Sequence, residues 1–134
     1  MGANKVYSVE LRGDYESIHK NHIVVNGFPE ERFKFIDGDI TKSEAVIERL
    51  DQPIDIVVAN IGPTYGEAHL AAIRLLRYLP TVKTFIGGSY VAGHPEMGSK
   101  EAIQLLAEYG YSSNFRELRL RRRIQAFVVD KDPT

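Results

Sequence analysis

Short apolar runs of strand length alternate with segments of helical periodicity along most of the 134-residue chain. That order constrains the fold more than any single motif. Repeated strand and helix segments bury their apolar faces most readily as a layered α/β domain with a largely parallel sheet. Val6–Glu10 is a β-branched and aromatic run, and Asp14 stands ready to cap a helix in which Tyr15, Ile18, His22 and Val25 share one face. Asn26 and Gly27 supply the left-handed stop such a helix needs. Residues 32–36 alternate apolar and charged side chains as a second strand. Thr41-Lys42-Ser43-Glu44 has capping-box spacing and predicts a helix carrying Val46, Ile47 and Leu50. Residues 54–59, apolar after Asp55, suit a central strand covered on both faces.

The second half continues the pattern and then breaks it. Residues 67–79 place Ala68, Ala72, Leu75, Leu76 and Leu79 on one helical stripe, closed by Pro80. Residues 81–86 form a strand that leads into Gly87 and Gly88, and residues 100–109 form a helix ended by Gly110. Residues 115–120 and 124–129 then read as two strands joined by a tight, arginine-rich turn. A terminal hairpin after strand-helix repeats means one antiparallel strand in an otherwise parallel sheet. The expectation is one domain over residues 1–134.

Composition narrows the function classes without choosing among them. The hydrophobic share of 43% and charged share of 26% are ordinary for a soluble globular chain. A formal net charge of -1 provides no global field toward nucleic acid or an anionic membrane. The lack of cysteine excludes disulfides, thiolate metal sites and cysteine nucleophiles, and fits a reducing compartment. No apolar run approaches the roughly 20 residues needed to span a bilayer. The opening MGANKVYSVELRGD has no signal-peptide core, so a cytoplasmic location is expected.

Ligands of open parallel sheets bind beyond the carboxyl ends of the strands, so the residues just after each strand are the candidates. They are Glu10 after the first, Asp37, Gly38 and Asp39 after the second, Asn60-Ile61-Gly62-Pro63 after the third, and Gly87-Gly88-Ser89-Tyr90 after the fourth. An acid at one strand end can accept both hydroxyls of a ribose, and the next strand's acid can accept the exocyclic amine of a purine. Together they suggest an adenosine-like ligand.

These residues carry a family resemblance. The stretch VYSVELRGDYESIHKNHIVVNGFPEERFKFIDGD closely resembles class I S-adenosylmethionine-dependent methyltransferases from their second strand to the acid after their third, including the Asn26-Gly27 stop and the spacing from Glu10 to Asp39. DIVVANIGP resembles that family's fourth strand and following motif, KTFIGGSYVAG its fifth strand, and KEAIQLLAEYGY its next helix, with the closing hairpin after it. The resemblance covers nearly the whole chain. It implies a Rossmann-like, mostly parallel sheet and S-adenosylmethionine as cofactor. Glu10, with Leu11 beside it, would hold the ribose hydroxyls, and Asp39 with Ile40 would flank the adenine. Asn60 would face the methyl group or the substrate, with Pro63, Tyr65 and Tyr90 toward the acceptor. Asn60-Ile61-Gly62-Pro63 with Tyr65 only partly resembles the Asn-Pro-Pro-Tyr motif of amino-group methyltransferases, so the acceptor stays unassigned. Family members carry a central strand and a Gly-x-Gly-x-Gly loop ahead of the position of Gly2. The resemblance therefore implies a sheet without its first strand, for which oligomerisation, a partner chain, or direct pairing of the strands beside the gap is expected.

Plainer roles exist for the same residues. Glu10 alone could be a solvated acid at a strand end, and Asp39 a turn residue leading to Thr41. Gly87-Gly88 reads as a backbone requirement more than a phosphate cradle. His19, His22, His69 and His94 have no metal-ligand spacing. Arg116, Arg119, Arg121, Arg122 and Arg123 guard a sheet edge as readily as they contact phosphate. Two further functions stand beside the methyltransferase. One is a non-catalytic module that binds a nucleoside or a partner chain. The other is a cobalamin-binding domain, which GDYESIHKN, GPTY and GGSYVAGHPE resemble, although that family's cobalt-ligating histidine falls where this chain has Glu16. A nicotinamide-dependent reductase is disfavoured because the Gly-rich dinucleotide fingerprint is absent.

Overall fold

The computed structural model describes residues 3–11, 13–60, 68–89, 100–119 and 125–134. They gather into two compact units, divided between Asp51 and Gln52.

The first unit is a strand-helix-strand element with a short helix after it. Its elements are β1 (Val6–Glu10), a 3-10 turn (Gly13–Tyr15), α1 (Glu16–Val25), a second 3-10 turn (Glu30–Arg32), β2 (Phe33–Asp37) and α2 (Ser43–Ile47). β1 and β2 pair in parallel from Val6 opposite Phe33 to Glu10 opposite Asp37. The stop after α1 is as expected. Gly27 has φ +77°, its N–H donates to the Val24 carbonyl at 3.0 Å, and the Phe28 N–H reaches back to the Ile23 carbonyl at 3.0 Å. This double closure satisfies carbonyls that a helix end otherwise leaves open. The Asn26 side chain adds a bond to the His22 carbonyl at 2.7 Å.

Three local expectations are corrected in this unit. Asp14 lies inside the first 3-10 turn, and the residue before α1 is Tyr15, which makes no side-chain cap bond. The stripe of Tyr15, Ile18, His22 and Val25 does not face a core: Ile18 is 50% exposed and Val25 83%. His19 faces the strands instead, with its ring edge-on to Phe35 of β2 at 5.6 Å and its Nδ1 3.3 Å from the Ser8 hydroxyl of β1. One residue is 100° of helix, so seating His19 swings Ile18 outward. Thr41, finally, does not cap α2: the residue before the helix is Lys42, and the Thr41 N–H and hydroxyl both donate to Asp39. α2 starts at Ser43 without a side-chain cap and ends before Leu50.

The second unit holds most of the buried apolar side chains. It comprises β3 (Ile56–Asn60), α3 (Ala68–Arg74) continued by a 3-10 turn (Leu75–Tyr78), β4 (Thr84–Ser89), α4 (Lys100–Glu108), β5 (Tyr111–Arg119) and β6 (Gln125–Lys131). The four strands lie in the order β3-β4-β6-β5, with β3 parallel to β4 and β6 antiparallel to both its neighbours. The expected hairpin with one reversed strand is therefore present. β5 begins at Tyr111, earlier than residue 115, because Gly110, at φ +87°, turns the chain from α4 directly into the strand. Ala102 and Leu106 of α4, Ile73 of α3, and Phe85, Phe127 and Val129 of the sheet are each at most 3% exposed. Full burial of one such side chain contributes roughly 1.5–3 kcal/mol.

β3 is not the doubly covered central strand its apolar sequence predicted. Among the described residues it is an edge of its sheet, with Ala59 buried and Ile56 and Val58 exposed at 55% and 65%. An uninterrupted apolar run therefore became an alternating one, since one face is covered and the other is not.

Candidate functional site

Parallel pairing brings the carboxyl ends of β1 and β2 side by side, which places Glu10 and Asp37 as register partners. Beyond them the Gly38 N–H donates to the Glu10 carbonyl at 2.9 Å, closing the sheet end behind the Glu10 side chain. Arg49 Nη1 donates to the Asp37 carbonyl at 3.0 Å, and the Arg49 carbonyl accepts from Lys34 Nζ at 2.6 Å. The strand ends are thus tied by bonds to the backbone carbonyls of Glu10 and Asp37.

Asp39 is held differently. Its Oδ1 accepts the Thr41 N–H at 2.9 Å and the Thr41 hydroxyl at 2.7 Å. These bonds keep its carboxyl below the usual carboxylate range, the Thr41 hydroxyl contributing most. Asp39 is therefore a turn residue that stays ionised, with Oδ2 outside the turn. Leu11 is 64% exposed, and Ile40 is half-buried.

One close approach was missed by sequence reasoning. A Cβ on Gly13, at the entry to α1, would lie 2.4 Å from Asp37 Oδ2 and 2.9 Å from its Cγ. The Asp37 carboxylate therefore stands where any other residue at position 13 would place its side chain. The signal was legible as a glycine three residues past a strand end, a common mark of close backbone approach.

In the second unit Asn60 ends β3 opposite Gly88 of β4, at the carboxyl ends of two parallel strands. Gly87 and Gly88 lie inside β4. Pro63, Tyr65 and Tyr90 lie outside the described residues, as does the arginine-rich turn at 120–124. Arg116 forms an ion pair with Asp130 at 3.5 Å. A shallow depression lined by Asp55, Thr81, Lys83 and Lys131 lies at the amino-terminal ends of β3 and β4, opposite the end where parallel sheets bind ligands. Among the described residues no cluster of His, Asp and Glu has the makings of a metal site, and no helix is long and apolar enough to cross a membrane.

No family model and no curated protein sequence matches the chain. Solved structures do match its fold. A ribosomal protein L11 methylase from Lactobacillus delbrueckii subsp. bulgaricus superposes with a TM-score of 0.64 at 15% identity, over 98% of this chain and 60% of that one. The fibrillarin pre-rRNA processing protein of Methanococcus jannaschii gives 0.65 at 15% identity, over 97% and 57%. An rRNA methylase from Streptococcus thermophilus gives 0.60 at 14% identity, over 96% and 74%. This chain thus spans less than two thirds of the first of these proteins. At such identities the likeness establishes the fold alone, and the fold is the α/β Rossmann-like one of class I methyltransferases.

Proposed function

We propose that this chain, having the class I methyltransferase fold, binds S-adenosylmethionine at the carboxyl ends of β1 and β2 and serves a methyl transfer whose acceptor is unassigned. The observation that carries the reading is Glu10, which ends β1 beside Asp37 with its own backbone carbonyl fixed by Gly38. A carboxylate so placed accepts the two ribose hydroxyls, and charge-assisted bonds of this kind are roughly twice as strong as neutral ones. Asp39 offers Oδ2 to the adenine amine while Thr41 holds Oδ1. Ile40 and Leu11 supply apolar cover for the base. When bound, the cofactor supplies an electrophilic methyl group for in-line displacement. The protein's task is then to position the acceptor and exclude water, and Asn60 at the end of β3 is proposed for that role.

The alternative is a binding module without turnover, and the free edge of β3 is the observation that favours weighing it. Ile56 and Val58 are exposed there on a strand with one neighbour. A further strand, from a second copy or a partner chain, would pair with the backbone of that edge.

Titration with S-adenosylhomocysteine by calorimetry, with Glu10→Ala as control, tests the cofactor site without knowledge of the acceptor. Saturable binding that Glu10→Ala abolishes supports the reading. Absence of binding by the unaltered chain at millimolar ligand refutes it and leaves the fold without the activity.

A further inference from the structure

Asn26, in the pair that ends α1, is the only asparagine of the chain followed by glycine. At such a pair the backbone nitrogen after the asparagine has no Cβ beside it. It therefore reaches the asparagine side-chain carbonyl carbon more easily than the nitrogen of any other residue. Asn26 and Gly27 are both exposed. An added Cβ at Gly27 would meet nothing within 4 Å, so water reaches the junction.

The closed helix end holds this chemistry off. The Gly27 N–H donates to the Val24 carbonyl at 3.0 Å and the Phe28 N–H to the Ile23 carbonyl at 3.0 Å. The Asn26 side chain donates through Nδ2 to the His22 carbonyl at 2.7 Å. Nucleophile and leaving group are thus both bonded to the last turn of the helix. To close a five-membered ring, the Gly27 nitrogen must eclipse Asn26 Cβ about the Cα–C bond. At ψ 7° it eclipses the backbone nitrogen of Asn26 instead. Rotation about that bond carries the Gly27 N–H away from Val24, so ring closure requires the helix end to open.

We propose that Asn26 is a site of spontaneous deamidation, gated by local opening of the end of α1. In the open state the Gly27 nitrogen gives up its proton and bonds to Asn26 Cγ, and the Cγ–Nδ2 bond breaks with loss of ammonia. Water then opens the succinimide. Attack at Cγ breaks the bond from Cγ to the Gly27 nitrogen and leaves aspartate. Attack at the Asn26 backbone carbonyl breaks the bond from that carbon to the Gly27 nitrogen and leaves isoaspartate, with the chain running through Cγ. Neither product restores the stop. Aspartate has no Nδ2–H for the His22 carbonyl and sets a negative charge at the electronegative end of the helix. Isoaspartate adds a methylene to the backbone and takes the Gly27 and Phe28 N–H groups out of register with their carbonyls.

The test follows the peptide containing Asn26 by mass spectrometry during incubation in mildly alkaline buffer, with the aspartate and isoaspartate forms separated by chromatography. It compares the unaltered chain, folded and in concentrated urea, with folded Val24→Ala, Val24→Gly and Val46→Ala, each checked for native circular dichroism. Conversion in urea is expected to be faster than in the folded chain by about tenfold or more, the combined worth of two backbone hydrogen bonds. Val24 is 55% exposed, and changing it leaves the Asn-Gly pair intact. Glycine there should convert about fivefold faster than alanine, the ratio set by their helix propensities. Val46 of α2 is 2% exposed, and its truncation weakens the core of the unit without altering the end of α1. The folded rate in Val46→Ala should therefore stay unchanged. Equal rates in the two Val24 variants, or no slowing in the folded chain, would mean that the helix end is no gate and overturn the proposal. Acceleration in Val46→Ala would move the gate to unfolding of the whole unit and overturn it too, as would a failure of Asn26 to convert in urea.

Discussion

The Tyr111 hydroxyl donates to the Val82 carbonyl at 2.7 Å, and both residues are buried, at 3% and 0% exposure. This bond ties the first residue of β5 to the segment that enters β4. Tyr111→Phe would leave a buried carbonyl without its donor, and a loss of about 1–3 kcal/mol is expected in urea unfolding. Burial also pushes the Tyr111 hydroxyl above its ordinary value. In the unfolded chain it ionises first, so the folded state binds more protons at alkaline pH and stability falls as pH rises past about 10. Tyr111→Phe should flatten that alkaline decline, measured as melting temperature against pH.

At the acid end the carboxylates of Asp130 in β6 and of Asp132 just beyond it contribute. Asp132 accepts from the Ser112 N–H, the Ser112 hydroxyl and the Ser113 hydroxyl, and the Ser113 bond contributes most to keeping its carboxyl below the usual range. Asp130 is held low chiefly by the Thr84 hydroxyl, with help from Asn114 and Arg116. Both groups are ionised more readily when folded. Their contribution is complete above about pH 4 and is lost as pH falls through the folded values. Acid titration of Asp132→Asn and Asp130→Asn should show a shallower loss of stability than the unaltered chain.

Gly27 and Gly110 both have positive φ, at +77° and +87°, and an added Cβ would meet nothing within 4 Å at either. The cost of alanine there is therefore conformational and not steric. Gly27→Ala and Gly110→Ala should each destabilise by about 1–2 kcal/mol, the penalty for an L-residue in this region. A cost near zero in thermal unfolding would mean that the helix stops do not depend on that geometry.

The free edge of β3 predicts association. With Ile56 and Val58 exposed at 55% and 65%, Lys at either position should alter stability by no more than about 0.5 kcal/mol. Sedimentation velocity should show concentration-dependent self-association in the unaltered chain and its loss in Ile56→Lys/Val58→Lys, because charge on an edge strand opposes pairing.

The first unit has Phe35, Ile36 and Val46 as its buried apolar side chains, against a far larger set in the second. A two-stranded sheet is marginal by itself. Amide exchange of β1 and β2 should accordingly be faster than that of β4 and β6, where register partners such as Phe85 and Val129 are both buried.

Element type and order were legible because they depend on local chemistry. The β-branched run at Val6–Glu10, the Asn26-Gly27 stop, the Gly110 end of α4 and the closing hairpin each follow from backbone preferences within a few residues, and each is present. So was the placing of Glu10 and Asn60 at strand ends, since a strand's end is visible where its apolar run stops. What surrounds an element was not legible. The apolar run of β3 is the same whether it is flanked on two sides or one, and only the pairing made it an edge with Ile56 and Val58 exposed. The face of α1 turned inward was decided by the fit of His19 between Ser8 and Phe35, which no helical periodicity contains. Thr41 was drawn from a capping role by Asp39, two competing local bonds of similar strength being separable only by geometry. The approach of Asp37 to Gly13 joins the end of β2 to the turn before α1, and parallel pairing in this register brings that carboxylate to that turn.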